Sequence, residues 1–410
     1  MGAAQPMPAV TIVTPSFNQG EFIRATIESV LAQDYPRVEY IVLDGGSTDQ
    51  TAAIVSEYAN RLTWISEKDR GQAHAINKGF IRAKGEIVAW LNSDDILLPG
   101  AITKAVDAFA SAPKDVGGIY GEGYLMDREG RIARRFPDTG PFNLWKLVYL
   151  SDYILQQSAF LRRAAVEDVG WLDESLHYAL DWDLLIRLGK RFGLYHVPEY
   201  FGALREYPEA KSFAGGRARV EEIRSMLERH TGLKRAPGYW NYSLHALRSK
   251  WEESGNRTSG WLGRAAKLRY FLLYYATTGP LLLIQERAQG MSADGWAADR
   301  LKWMLPEGTG DVIVRGRVPE DARLTGQTLA VRSEGCKLGR WPVGPGAFEL
   351  RFPAGAHRKG PFLFEIHASR YRRSRLSSGM NFRRMAWVVE RIEWAARDSG
   401  VRSGCHPAAC

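Results

Sequence analysis

Cysteine is scarce. Three of 410 residues, Cys336, Cys405 and Cys410, make an odd set without metal-ligand spacing, which argues against a disulfide framework and fits a reducing compartment. Long apolar runs are missing too. No uninterrupted stretch reaches the about 20 residues that a membrane-spanning helix needs, and Met1 to Ala9 have neither the basic start nor the apolar centre of a secretory leader. The glycine fingerprint GxGxxG is absent after the first strand-like run, as is the lysine motif of a P-loop, which argues against a dehydrogenase and a P-loop nucleotidase. No groove-reading motif for DNA is present, and the basic residues are interleaved with apolar helical stretches.

What remains is an ordinary globular composition, 45% hydrophobic and 25% charged, on a chain long enough for two or three domains. Lys and Arg number 55 against 46 Asp and Glu, a net charge of +9. That surplus suggests an anionic partner: a membrane surface, a nucleotide sugar or a nucleic acid.

The first half alternates in period. Val10 to Thr14, Tyr40 to Leu43, Thr63 to Ser66 and Ile87 to Leu91 read as strands; Glu21 to Gln33, Thr51 to Ala59 and Ala73 to Ala83 read as helices. Such alternation predicts a mostly parallel, Rossmann-like sheet flanked by helices, with right-handed crossovers. Each strand ends in polar, acidic or glycine-rich residues, all leaving the sheet at the edge where open α/β sheets bind ligands. The last strand ends in Asn92, Ser93, Asp94 and Asp95. Two adjacent carboxylates repel, so a cation or a set of donors must compensate them. One reading is a site for Mg²⁺ or Mn²⁺ completed by a diphosphate; the other is a cap on a helix from about Ile96 with Pro99 in its first turn. Asp44 with its two following glycines has the same ambiguity, since Ser47 or Asp49 could simply cap the next helix.

Taken in order, Thr14-Pro15-Ser16-Phe17-Asn18, Asp44-Gly45-Gly46-Ser47-Thr48-Asp49, Glu67-Lys68-Asp69-Arg70-Gly71-Gln72 with Asn77-Lys78-Gly79, and Leu91-Asn92-Ser93-Asp94-Asp95 resemble a family 2 glycosyltransferase over roughly the first half of the chain. The resemblance implies the A-type glycosyltransferase fold, a nucleotide-sugar donor (UDP foremost) and a divalent cation, Mn²⁺ or Mg²⁺. It implies that Pro15, Phe17 and Asn18 line the nucleotide pocket, that Asp44 holds the base, and that Gly46 belongs to the same donor site. Asp69, Arg70 and Gly71 would lie near the nucleotide and donor sugar, Asn92 would orient the ribose or its neighbour, Ser93 would belong to the donor site, and the cation would sit on Asp94 with Asp95 second.

Further on, Tyr178 to Leu188 reads as an amphipathic helix from near Trp182 whose first turn holds Asp181 and Asp183. These acids could be cap and dipole partners. By resemblance Asp181 matches the general base of an inverting transfer, although Leu180 stands where the family carries another acid; Asp183 is then a structural cap. Two residues past Arg205, Tyr207 stands where many relatives carry a histidine, and the resemblance then implies either that the cation keeps an extra water or that Arg205 and Lys211 neutralise the diphosphate.

The expected organisation is a catalytic domain at 1–232, a basic and aromatic helical linker at 233–308, a β-sandwich at 309–398 and a tail at 399–410. In the linker, Lys267 to Tyr275 and Pro280 to Ile284 are apolar with basic flanks, as in helices lying on an anionic membrane, or in a helical pair packed on the protein itself. The sandwich resembles carbohydrate-binding-like modules appended to bacterial glycosyltransferases; Trp341 and Trp387 suit either sugar stacking or core packing. The expected function is inverting transfer to a glycan or lipid-linked acceptor in cell-surface polysaccharide synthesis, in the cytoplasm or at the inner face of the membrane. A binding protein of the same fold and a sugar nucleotidyltransferase are the alternatives.

Overall fold

Val10–Ser16 (β1) is a β-branched run, buried along its whole length, and the first body grows outward from it. Val38–Asp44 (β2) and Ile87–Trp90 (β4) flank it in parallel register, with Thr63–Ser66 (β3) beyond β2. Helices Ile23–Leu31 (α1), Thr51–Ser56 (α2) and Gln72–Arg82 (α3) make the connections. One face of the sheet, through Val10, Ile12 and Val42, packs on Ile23 and Ile27 of α1, Val55 of α2 and Ile102 of Ala101–Ser111 (α4). On the other face α3 lies so close to β1 that a Cβ at Gly79 would come within 2.5 Å of Val13; only glycine permits that approach.

The expectation of a mostly parallel sheet fails past β4. Ala159–Arg162 (β8) enters antiparallel between β4 and Gly118–Met126 (β6), while Tyr195–Arg205 (β9) runs parallel to β6. Ile96–Leu97 (β5) and Ile132–Arg135 (β7) join antiparallel at the margins of this nine-stranded sheet. A buried apolar run reads the same whichever way it points, so strand direction was not visible in sequence. Nor does a helix start at Ile96: Ile96 and Leu97 pair with Ala203 and Gly202, and α4 begins only after Gly100 in the left-handed conformation. Arg163–Asp168 (α6), Leu180–Arg191 (α7), Lys211–Ala214 (α8) and Gly216–Thr231 (α9) complete this body.

The computed structural model describes residues 7–137, 139–243, 296–305, 308, 310–333, 336–353, 361–375 and 382–395. They divide into two units, the first of residues up to Phe142 with Ser151–Tyr239, the second of Asn143–Leu150 with the residues from Trp240 on. The second contains Leu144–Tyr149 (α5) and the strands Trp296–Ala297 (β10), Arg300–Leu305 (β11), Asp311–Val318 (β12), Gln327–Ser333 (β13), Cys336–Val343 (β14), Gly346–Pro353 (β15), Phe362–Ala368 (β16), Arg372–Arg375 (β17), Phe382–Met385 (β18) and Trp387–Trp394 (β19). Two antiparallel sheets, β10-β19-β12-β15 and β11-β16-β13-β14, share one apolar core. Phe352 of one sheet meets Phe364 of the other at 5.3 Å between ring centroids. The strands begin inside the stretch read as linker. Trp387 is fully buried in this core, which overturns sugar stacking for that residue; Trp341 packs partly against it. The candidate membrane helices at Lys267 to Tyr275 and Pro280 to Ile284 lie outside the described residues, as do Cys405 and Cys410. Among the described residues no helix is long and apolar enough to cross a membrane.

Candidate active site

β1, β2, β3 and β4 are parallel, so their C-terminal ends deliver four polar turns to one edge. The β1 and β2 turns are sewn together. Asn18 adopts the left-handed conformation at φ 52°, its N–H donates to Ser47 Oγ at 2.8 Å, and its Oδ1 accepts from the Thr48 N–H at 2.8 Å. Phe17 beside it is 60% exposed, a bare ring at the rim, whereas Pro15 sits inside β1. Asp44 is buried, and its carboxylate accepts from Ser66 Oγ at 2.6 Å and Ser47 Oγ at 2.5 Å, with Ser47 N–H at 3.2 Å. It braces the turn in which Gly46 takes φ 85°. Asp69 lies against the next turn, where a Cβ on Gly45 would meet its Oδ2 at 2.8 Å, and its Oδ1 accepts from Gly71 N–H. Arg70 reaches Glu174 at 2.5 Å.

The acidic turn separates its two aspartates. Asp95 is fully buried: Oδ2 accepts from Gln157 Nε2 at 2.5 Å and Asn92 Nδ2 at 3.0 Å, and Oδ1 from the Arg205 N–H at 2.9 Å. Ser93 is buried beside it. Asp94 is half-buried, with one carboxylate oxygen accepting from Tyr207 OH at 2.8 Å and its carbonyl from Arg205 Nε at 2.7 Å. Tyr207 packs on Phe22 with the rings tilted at 44° and 4.9 Å between centroids. Burial pushes the Asp94 carboxyl up despite the Tyr207 bond, and burial with the Asp94 charge pushes Asp95 well up. Both carboxyls therefore carry their negative charge at a cost that a proton or a cation would relieve. Asp95 has given both oxygens to protein donors, so the exposed part of this charge belongs to Asp94. Among the described residues no three metal-binding side chains gather. A hard cation that takes one carboxylate and draws its other ligands from diphosphate and water fits this donor set.

On the facing side, Glu222 of α9 accepts the backbone N–H groups of His177, Tyr178 and Ala179 at 2.9, 2.6 and 2.9 Å, fixing the approach to α7. α7 starts at Leu180, two residues before the expected point. Asp181 follows, half-buried, with Oδ1 accepting its neighbour's N–H at 2.9 Å. Burial pushes its carboxyl up; burial and then Asp181 push Asp152 well above the usual range. Among the described residues one oxygen of Asp152 is buried without a partner. Asp183 is a clamp rather than a cap: it accepts from Arg187 Nε and His230 Nε2, both at 2.8 Å, tying α7 to α9. Burial pushes it up, but His230 and Arg187 hold it below its ordinary value.

A hydrogen-bonded path runs from Lys211 to the acidic turn. Lys211 Nζ donates to Gln72 Oε1 at 2.7 Å, Gln72 Nε2 donates to Asn92 Oδ1 at 2.8 Å, and Asn92 continues to Asp95. Lys211 lies in the field of Asp181. Sequence reasoning assigned no role to Gln72, Asp152, Gln157 or Glu222. Adjacent glutamines, Gln156 and Gln157, inside an apolar run were the one signal available, since buried amides need partners. Asn77, noted only as part of a motif, staples the Leu172 backbone through both amide atoms at 3.0 Å.

Residues 11–170 match the family model described as glycosyl transferase family 2. The chain belongs to that family. An uncharacterized glycosyltransferase of Mycobacterium tuberculosis is 34% identical over 184 residues, 44% of this chain and 68% of that one. Chondroitin synthase of Escherichia coli is 29% identical over 194 residues, 47% of this chain and 28% of that enzyme. The match spans 28% of an uncharacterized glycosyltransferase from Rickettsia bellii, at 28% identity over 46% of this chain. Among solved structures, the chain is similar to Staphylococcus aureus TarS 1–349 in complex with UDP-GlcNAc (TM-score 0.42, 16% identity, 66% of this chain and 81% of that one). It is also similar to mannosyltransferase PcManGT of Pyrobaculum calidifontis with GDP-Man and Mn²⁺ (TM-score 0.43, 19% identity, 67% and 84%). Scores this low carry no weight of their own.

Proposed function

We propose that this protein is an inverting glycosyltransferase. It moves a sugar from a nucleoside-diphosphate sugar, UDP-linked, to a hydroxyl of a glycan or lipid-linked acceptor in cell-surface polysaccharide synthesis. The observation that carries the reading is the path Lys211–Gln72–Asn92, which links the surroundings of Asp181 to the turn holding Asp94. In this reading an acid able to take a proton and an acid able to hold a cation front the same space.

In this reading the exposed rim from Phe17 to Asn18 and the braced turn of Asp44 and Gly46 receive the nucleotide. Asp69, Arg70 and Gly71 flank the donor sugar. A divalent ion on Asp94, when bound, neutralises charge growing on the leaving diphosphate. Asp95 keeps the turn in shape from behind, and Arg205 anchors it through the Asp94 carbonyl. Asp181 accepts the proton of the acceptor hydroxyl as its oxygen bonds to the anomeric carbon and the bond to the diphosphate oxygen breaks. A carboxyl raised above its ordinary value suits this role, because a base works best with its pKa near the operating pH. The net charge of +9 supports peripheral docking at an anionic membrane. The second body's sheets would hold glycan.

The test is release of nucleoside diphosphate from a panel of sugar nucleotides, with and without EDTA, in the parent and in Asp181→Asn. A fall of about a hundredfold or more in a folded Asp181→Asn variant is expected. Near-normal turnover would remove Asp181 as base, and no release from any donor would leave a binding protein of the same fold.

A further inference from the structure

The two outer faces of the second body carry charge differently. On the sheet β10-β19-β12-β15, outward arginines meet acids: Arg315 reaches Glu349 at 2.8 Å, Arg317 reaches Glu390 at 3.3 Å and Arg351 reaches Asp311 at 2.7 Å. The sheet β11-β16-β13-β14 is not balanced in this way. Its Leu301, Trp303, Leu329, Val331, Phe364 and Ile366 build the core, so alternation turns the residues between them outward. Strand register then sets two rows across all four strands. Arg300, His367, Ala330 and Arg340 form one row, and Lys302, Glu365, Arg332 and Lys337 form the next. Such rows lie about 7 Å apart, and four strands span about 14 Å.

Five of these eight positions are Lys or Arg and one is acidic. That acid is already shared: Lys302 Nζ lies 3.4 Å from one Glu365 oxygen and His367 Nε2 lies 3.0 Å from the other. Arg300, Arg332, Lys337 and Arg340 are exposed, and among the described residues none of them has a carboxylate within ion-pair distance. Arg340 turns instead to the neutral Thr328 Oγ1 at 3.0 Å. Arg332 and Lys337 stand directly opposite each other across the strands. Like charges so placed repel, and an anion laid over the face relieves the repulsion.

What the face lacks narrows the anion. Neither row holds an aromatic side chain, because Trp303, Phe362 and Phe364 of these strands point into the core. The face therefore offers no ring for a nucleobase or an uncharged sugar to stack on. Nor does it offer the aromatic and apolar stripe that seats a protein in a membrane interface. Recognition is left to charge, spread over an area wide enough for several anionic groups.

We propose that the outer face of β11-β16-β13-β14 is a docking surface for an acidic glycan chain, one whose sugars carry carboxylate or phosphate. The planar forks of Arg300, Arg332 and Arg340 suit either group, each accepting two parallel N–H···O bonds; Lys337 adds a point charge. The inference rests on the glycosyl-transfer reading only in making that chain the acceptor. Attraction between exposed charges is screened by salt, so affinity falls as ionic strength rises.

The experiment is isothermal titration of the full chain, without donor, against polygalacturonate, phosphomannan and neutral dextran at low and high NaCl. The parent should bind at least one acidic polymer at low salt, lose it at high salt and ignore dextran. Arg332→Gln, Lys337→Gln and Arg340→Gln together should weaken binding about tenfold or more. Arg315→Gln, Arg317→Gln and Arg351→Gln together remove the same charge from the opposite face and should change affinity by less than about threefold. Thermal melting checks that both triples are folded, and Arg332→Glu alone serves in place of the first triple if it is not. Equal weakening by the two triples, or binding of neither acidic polymer, would overturn the proposal. Tighter binding to phosphatidylglycerol vesicles or to oligo(dT) through the same three residues would overturn it too, giving the face to a membrane or a nucleic acid. Absence of nucleoside diphosphate release from any donor would remove the transfer reading and the acceptor role with it, whereas the titration, run without donor, judges the face by itself.

Discussion

Replacing Asp94 and Asp95 one at a time should give opposite failures. Asp95→Ala removes the acceptor of three donors, of which Gln157 Nε2 and the Arg205 N–H are buried and Asn92 Nδ2 is half-buried. Each buried donor left unpaired costs about 1–3 kcal/mol. Water can enter the small space vacated and recover part of this, so a loss of about 3 kcal/mol in unfolding free energy is expected. Asp94→Ala removes one hydrogen bond, from Tyr207, and relieves a carboxylate that burial already disfavours. Its stability should stay within about 1 kcal/mol of the parent, while nucleotide release falls by about two orders of magnitude. Urea denaturation followed by tryptophan fluorescence measures the first quantity, and release of nucleoside diphosphate the second. If Asp94→Ala proves the less stable of the two, the division between an exposed and an enclosed carboxylate is wrong.

Two further outcomes follow from the acceptor side. Burial and the Asp181 charge push Asp152 up and burial pushes Asp181 up, so the two acids titrate as a pair. Turnover needs Asp181 ionised, so it should fall as pH drops through a value above the ordinary aspartate range; Asp152→Asn, which reproduces the neutral acid, should keep turnover within about threefold. A pH–rate profile in which Asp152→Asn is as damaged as Asp181→Asn would make Asp152 the ionised partner instead. Glu222→Ala removes the acceptor of three N–H groups ahead of α7. It should lower kcat by about tenfold or more through misplacement of Asp181; an unchanged kcat in this variant would show that the approach to α7 needs no such anchor.

How much of this could be read from the chain varies by element. The strand-end motifs were legible because parallel strands linked by helices must present their C-terminal turns together, so Asn18, Asp44, Asp69 and Asn92 could be grouped from order alone. The contrast between Asp94 and Asp95 was not legible. It depends on the turn aiming successive side chains to opposite sides, and on Gln157, 62 residues away from Asp95 in sequence. Strand β14 is hard to read from the chain because its outward positions carry Lys337 and Arg340, which blur the apolar alternation. β11 was hidden by lying in a stretch rich in tryptophan and basic residues, whose texture suggested helices. Asp183 looked like a cap because capping is a local rule, whereas His230 reaches it from another helix.

The stitch at Asn18 has a consequence for how a ligand is received. Because one amide oxygen and one N–H bind two successive residues of the β2 turn, the two turns form a single stiff lip rather than two independent flaps. A nucleotide arriving there need not organise its own cradle. Little conformational entropy is lost on capture, and more of the contact free energy remains available as affinity.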